Sequence, residues 1–511
     1  MGEAKRREVA VREQVAEALG LQSSGGQIKV RWDANSQATA QGQMAFFIEF
    51  LVATGLFDQW VADCPLDYRS PNGSEPRDVL GTWMLSILSG HWRYAHVSAI
   101  RADGVNPGLL GMSGVVAEDT LRRGLKEIEE ESGVEWLLDH IGRTAVGLLY
   151  APWVIDVDVT VKPLYGKQQG AVVGYNPHKP GRPSHAYHSY QVSGLRLMLG
   201  VDVLAGNQSH ANHTLPGLIR ILDGLASHQR PQLVRGDAGM AGEPMFKALE
   251  DRGQRYLFKL RLTKKVKRYI ERLFWEQGWS PARQGWEGKD GELKLDGWSR
   301  SRRVVVLRRE FRGEALLADP KQRVLDFIEV NVPAKRYEYA VLVTDLSHEL
   351  LTLAQLYRDR ADSENTFDEL KNQWGWGGYT THDLARCRLS ALAVALIYNW
   401  WSLFVRLGNP QARMEAITSR PFLLSAVARQ TAHSGAKQLT ITSQHAEADK
   451  AKALLTAIHA LITGFKRTAE QFKVKSVWQL VCEHIVTTVA RFRPKIPLLL
   501  APPGLDLSTV N

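Results

Sequence analysis

Residues 153–161, WVIDVDVTV, decide how the rest of this chain is read. The run is β-branched and short, with Pro152 before it and Pro163 after it, which reads as a buried strand. Side chains alternate across a strand, so Asp156, Asp158 and Thr160 share one face and the valines take the other. Two carboxylates on one face of a buried strand are costly unless something positive compensates them. A strand of this kind predicts a site.

Working outward, residues 187–195 (YHSYQVSGL) and 196–206 (RLMLGVDVLAG) predict a hairpin pair. Residues 213–228 predict a helix, 231–239 (PQLVRGDAG) a strand ending in a turn, 243–253 a helix, and 255–262 (RYLFKLRL) a strand. Three strands, then helix, strand, helix, strand is the order of an RNase H-like core, which makes the fold class α/β. Asp237 follows the apolar LVRG, at the strand end where open α/β sheets place ligands.

Residues 1–150 read as mostly helical, with apolar residues at three- and four-residue intervals. Within them, 116–130 fits the second helix of a helix-turn-helix and equally any amphipathic surface helix. The expected division is a helical DNA-binding region over 1–150, the first part of the core over 151–260, a β-rich basic insertion over 261–345, the second part of the core over 346–405, and a helical region suited to dimerisation over 406–511. The final residues, 493–511, are Pro-rich and read as a loosely ordered tail.

A length of 511 residues predicts two to four domains, and 44% hydrophobic with 23% charged residues excludes a disordered, collagenous or small disulfide-scaffold protein. The net charge of +10 favours a polyanionic partner, nucleic acid above all. Residues 256–345 hold 20 Lys and Arg against 13 Asp and Glu, so most of the surplus is concentrated there. Lys264, Lys265, Arg302 and Arg303 stand among Trp275, Trp279, Trp286 and Trp298, a mixture that grips phosphates and stacks bases. A twisted sheet with a charged outer face and a Trp-rich core has the same composition. Three dispersed cysteines without a CxxC predict unpaired thiols in a reducing compartment. The N-terminus (MGEAKRREVAVREQ) has no apolar core and predicts no signal peptide. The apolar run 391–405 is shorter than the ~20 residues that span a bilayer and predicts a buried helix. A cytoplasmic protein without a membrane partner is expected.

Glu364 lies in a segment read as one helix, with Tyr357, Arg360 and Lys371 on the same stripe. Carboxylates from two adjacent strands and a helix suit Mg²⁺, and a pair of such ions is the usual arrangement for phosphoryl chemistry. Arg360 and Lys371 would neutralise phosphates that the acids repel. The alternative is a salt-bridged surface helix.

These residues resemble the DDE transposases of bacterial insertion sequences, in the cut-and-paste group with a Y-(2)-R-(3)-E-(6)-K signature: Tyr357, Arg360, Glu364 and Lys371. DVDVT, VRGDAGM and GKQQGAVVGYNPHKPGRPSH also match. The resemblance implies an RNase H-like core interrupted by a β-rich insertion, with Asp158, Asp237 and Glu364 as catalytic acids and ligands of two Mg²⁺ ions, for which Mn²⁺ may substitute. It further implies cleavage at terminal inverted repeats, joining of the 3′ ends to target DNA, double-stranded DNA as partner, and a homodimer in the synaptic complex. In the cell such a protein is nucleoid-associated when bound to DNA. A non-catalytic, repeat-binding regulator of the same fold is the rival reading, and a structure-specific nuclease a third. All three acids and the whole signature are present, which favours the enzyme. The HxxH pairs His185/His188 and His210/His213 have no Cys or acidic cluster beside them, and zinc is not expected.

Overall fold

The computed structural model describes residues 19–33, 36–68, 73–150, 152–176, 179–310, 337–433 and 436–492. The charged N-terminal residues 1–14, the Pro-rich 493–511 and part of the basic insertion, 311–336, lie outside these.

The described residues open with strands where helix was expected. β1 (Leu19–Ser23) and β2 (Gly26–Val30) form an antiparallel hairpin, closed by Gly25 and by Gly26 at φ +111°. β3 (Gln37–Thr39) follows, and then the expected helices begin. Chief among them are Met44–Thr54, Pro76–Leu88, Glu118–Glu127 and Glu130–Val146. Glu118–Glu127 turns Leu121 and Leu125 into the core, and its Arg122 pairs with Glu118.

β4 (Val154–Pro163) is the strand predicted from 153–161. With β5 (Val172–Val173), β6 (Pro183–Val192), β7 (Leu197–Ala205), β8 (Leu233–Gly236) and β9 (Tyr256–Lys259) it builds six strands of a ten-stranded mixed sheet. β4 pairs antiparallel with β6 and parallel with β8; β8 pairs parallel with β9, and β7 lies outside β6. The central order is therefore β7-β6-β4-β8-β9. Helices Ala211–Gly224 and Glu243–Glu250 make the two crossovers, as the sequence order requires.

The insertion is not a separate layer. β10 (Ser280–Pro281), β11 (Trp286–Leu293), β12 (Arg302–Glu310) and β13 (Tyr337–Thr344) extend the same sheet, because β13 pairs antiparallel with β9. The basic run KKVKR, expected in strand-like surroundings, instead opens the helix Lys264–Phe274. Val266, Tyr269, Ile270 and Leu273 fall at three- and four-residue intervals and are buried, and the Thr263 hydroxyl accepts from the Val266 N–H at 3.4 Å. Here a helical apolar period outweighed the strand character of its neighbours.

The last part is helical with one interruption. β14 (Ala428–His433) and β15 (Ala436–Ile441) form a hairpin that pairs with β3, joining the two ends of the described chain. The helix Leu384–Gly408 has the length and hydropathy to cross a membrane, yet 94% of its most apolar window is buried inside the protein. It packs on Glu130–Val146 and β7. Asn399 closes the exposed edge of β7, its amide donating to the Met198 carbonyl and its carbonyl accepting the Met198 N–H, each at 2.8 Å. One hydrophobic cluster runs from Met44 through this helix to Val489, so the N-terminal helices share a core with the sheet.

Candidate active site

The two acids of β4 meet different fates on one face. Asp156 is 1% exposed and faces Arg235, its register partner on parallel β8. The guanidinium donates to both carboxylate oxygens, at 2.7 and 2.8 Å, and the Ser363 hydroxyl adds a third bond at 2.6 Å. Arg235 also donates to the Leu356 carbonyl and to Ser193 Oγ. This is a closed, fully satisfied buried ion pair. Sequence reading missed Arg235; a lone Arg in an otherwise apolar strand, beside a strand carrying an acid, was the signal.

Two residues further on, Asp158 faces the helix Ala361–Asn372 near its N-terminal end, where it accepts from Arg360 and from the Val159 N–H, the latter at 2.7 Å. Burial pushes its carboxyl up to about 7; Arg360 opposes that rise, while Asp237 and Glu364 add to it. Asp158 therefore senses both of the other predicted acids. Asp237 follows β8, where its carboxylate accepts the Gly239 N–H at 2.8 Å. Gly236 before it is obligatory by close approach, since a Cβ there would stand 2.9 Å from Met240 and from Phe258. Glu364 lies one turn into the Ala361–Asn372 helix, its side chain 69% exposed, 3.4 Å from Arg360.

The segment expected as one helix is two. Leu350–Arg358 ends at Asp359, and Arg360 is the N-cap of Ala361–Asn372. The break leaves Arg360 at the head of the second helix, 5% exposed, with one amino group on Asp158 and the other on Glu364. Ser363, Thr366 and Leu370 on the adjacent stripe seat that helix on the sheet: Ser363 bonds Asp156, and Thr366 Oγ1 accepts from Gln191 of β6 at 3.1 Å. Tyr357, in the first helix, is raised to about 12 by burial, with Arg360 opposing and the three acids adding. Burial lowers Lys371, and Asp158 pulls it back up, so the ammonium and that acid interact across the site.

A comparison with known families gives the chain its family. The family model for the transposase DDE domain, group 1, matches residues 57–463, a span that includes all three acids. The chain belongs to that family. Membership makes it a transposase, of the class that cleaves and joins DNA strands. No curated protein sequence matches it. Among solved structures, a piggyBac transposase synaptic complex with hairpin DNA is similar over 90% of this chain and 88% of that one, at 11% identity and a TM-score of 0.38. At that score the likeness carries no weight for fold or function.

The basic window of this transposase reads differently in three dimensions. Arg302 is 3% exposed and binds Glu243 and Glu250 through all three of its nitrogens, over the rings of Phe246 and Trp298. Arg303 is held by Asp290 and the carbonyls of Leu346 and His348. Arg308 lies 3.8 Å from the Trp279 ring centroid and pairs with Glu287. Arg302 and Arg303 were expected to hold DNA; their donors are spent inside the protein, and of the four tryptophans Trp298 is buried while Trp275 is 71% exposed. Lys264 and Lys265 stay exposed, with Lys265 paired to Asp296 at 2.7 Å.

Among the described residues, the His, Cys, Asp or Glu side chains whose ligand atoms lie within 4.8 Å of one another are Asp63, Asp139 and His140, outside the predicted site. Arg143 already pairs with both of those carboxylates, at 2.7 and 2.6 Å. His188 bonds Thr214 and the Gln208 carbonyl in the interior, and the His210 and His213 rings lie against each other at 4.5 Å.

Proposed function

We propose that this transposase is an active cut-and-paste enzyme of a bacterial insertion sequence, with Asp158, Asp237 and Glu364 as its catalytic acids. The observation that carries this is that Arg360 bridges Asp158 of β4 and Glu364 of the Ala361–Asn372 helix, while Asp237 at the end of β8 raises the same Asp158 carboxyl. The strand order β7-β6-β4-β8-β9 supports an RNase H-like core. The group fits hard divalent cations: the donors are carboxylate oxygens, and their mutual repulsion is offset here by one guanidinium. Mg²⁺, or Mn²⁺ in its place, would be held by Asp158, Asp237 and Glu364 as a pair of ions. Bound there, the ions supply an activated hydroxyl nucleophile and neutralise the leaving oxygen.

The chain's own residues do the rest. Asp156 and Arg235 fix the register in which Asp158 is presented. Arg360 orients Asp158 and Glu364 and places positive charge beside the phosphate being cut. Tyr357 and Lys371 hold the neighbouring backbone phosphates of double-stranded DNA. The substrate is the element's terminal inverted repeat, the product a 3′ end joined to target DNA, and a homodimer pairs the two ends in the cytoplasm. The test is Asp237→Ala and Glu364→Ala on duplexes carrying the repeats that flank the gene. Mg²⁺-dependent cleavage is expected to vanish while binding persists, because phosphate contacts come from Lys and Arg. Wild-type cleavage by either variant overturns the assignment.

A further inference from the structure

The sheet edge that carries the acids is flanked by two hollows. The smaller, about 280 Å³, is lined by Thr160, Lys162 and Lys371, on the side of the Glu364 helix. The larger, about 930 Å³, begins at Asp237 itself and runs the other way. Its floor includes Val159 and Val161, which point to the opposite face of β4 from Asp158. Its far wall is Lys259, Arg261 and Lys267, and Tyr175 stands at its rim, 74% exposed. Asp237 is the sole carboxylate among the described lining residues.

The contrast with the strands of the insertion is chemical. There the arginines face glutamates and aspartates at contact distance. Among the described residues no carboxylate pairs with Lys259 or Arg261, and Arg261 leans on the Ala238 carbonyl next to Asp237 at 3.2 Å. Thr263 and Lys267 stand one helical turn apart, so Lys267 faces the hollow while Lys264 and Lys265 are not among its lining. The backbone leading to Tyr175 is closely packed. Gly174 beside it packs so tightly on Gly206 that a Cβ would meet the Gly206 carbonyl oxygen at 1.9 Å, and a Cβ on Gly206 would meet two backbone oxygens at 2.3 Å. An exposed aromatic ring on a fixed backbone, beside a row of cations leading to an acid site, has the chemistry of a nucleic-acid strand track.

We infer that this hollow seats the DNA backbone on the Asp237 side of the cleaved phosphate, with Lys259, Arg261 and Lys267 on successive phosphates and Tyr175 stacked on a base. The inference rests on the reading of Asp158, Asp237 and Glu364 as the cleaving acids. The strand belongs to the element end or to the target, and the same cations serve either.

The test uses the full chain carrying Lys259→Ala, Lys267→Ala or both, with folding checked by thermal unfolding. Binding of a terminal-repeat duplex and of an unrelated duplex is titrated across a salt series. Each substitution is expected to lower the salt slope by about one, and the pair by about two. Tyr175→Ala is expected to weaken binding of a duplex with a single-stranded overhang about tenfold, and Tyr175→Phe to restore it. If end cleavage falls with the slope, the track holds the element end; if cleavage survives and joining to a plasmid falls, it holds target DNA. Folded variants with unchanged slopes on both duplexes overturn the inference. If instead the slopes change while Asp237→Ala still cleaves, the track stands and the proposed catalytic acids fail.

Discussion

The insertion and the acid cleft hold similar side chains and treat them oppositely. In the insertion both arginines singled out from the sequence are neutralised, Arg302 by Glu243 and Glu250 and Arg303 by Asp290, and Arg308 is likewise answered by Glu287. In the cleft Asp158 and Glu364 share one arginine, and burial, with Asp237 and Glu364 adding, leaves the Asp158 carboxyl raised to about 7. A region whose charges cancel internally has its electrostatic work done once it folds. A region whose charges remain out of balance is waiting for a partner, and the sign of the imbalance names a cation. Local charge density therefore misleads, and pairing decides.

Two residues of one strand give the strongest test of that contrast. Asp158→Asn is expected to abolish cleavage, because the amide keeps the shape and loses the charge a divalent cation requires. Its stability should move far less. A carboxyl raised from the usual 3.8 to about 7 by burial resists ionisation in the fold, so without divalent metal it costs stability increasingly as pH rises between those values. The Asn variant should lose that slope, but the gain at pH 7 is offset by leaving the buried Arg360 with Glu364 alone, so its urea midpoint there should stay close to the parent's. Asp156→Asn does the reverse: it leaves Arg235 buried beside a neutral amide and is expected to cost about 3–5 kcal/mol, while the molecules that fold still cut. A dead but stable Asp156→Asn beside an active Asp158→Asn would move the first acid by two residues.

Arg302→Ala probes the other side of the comparison. Removing it strands Glu243 and Glu250 at the base of the insertion and uncovers the Phe246 and Trp298 rings. The expected loss is about 2 kcal/mol, held down by the partial exposure of both glutamates, with the salt dependence of DNA binding unchanged. A slope that falls by one in a fully folded variant would return Arg302 to the DNA surface.

Much of this was legible because short periods survive context. The alternation of Val and Asp in 153–161 placed Asp156 and Asp158 on one face, and the β-β-β-α-β-α-β order set the centre of the sheet. Pairing across the sequence was not legible. Nothing local announces that Arg235 lies in register with Asp156, or that Glu243 and Glu250 of one helix reach Arg302 about fifty residues later. Nor did spacing reveal the break at Arg360: 3.6-residue arithmetic fits two helices joined by a tight turn nearly as well as one. The KKVKR helix was hidden for a different reason. Its charges drew the eye from Val266, Tyr269, Ile270 and Leu273, whose period decides its structure.

Lys371 and Lys265 give the smallest effects and the finest discrimination, since both are lysines on helix surfaces near the sheet. Lys371 is lowered by burial and felt by Asp158, and it lines the hollow beside the Glu364 helix. Lys265 sits across from Asp296, whose side chain is 94% exposed. Lys371→Ala should therefore lower the salt slope of end-DNA binding by about one, since it lines this hollow with Lys162 and Lys179, cations suited to phosphate. Lys265→Ala removes a solvent-screened pair worth less than about 1 kcal/mol, so the unfolding midpoint should barely move. Its effect on the slope then separates two roles for the exposed side of the Lys264–Phe274 helix. A drop of about one would mean that DNA continues past Lys267 onto that side, with the ammonium exchanging Asp296 for a phosphate. An unchanged slope would confine the DNA to the Asp237 hollow, and Lys265 would join Arg302 among the cations already answered within the protein.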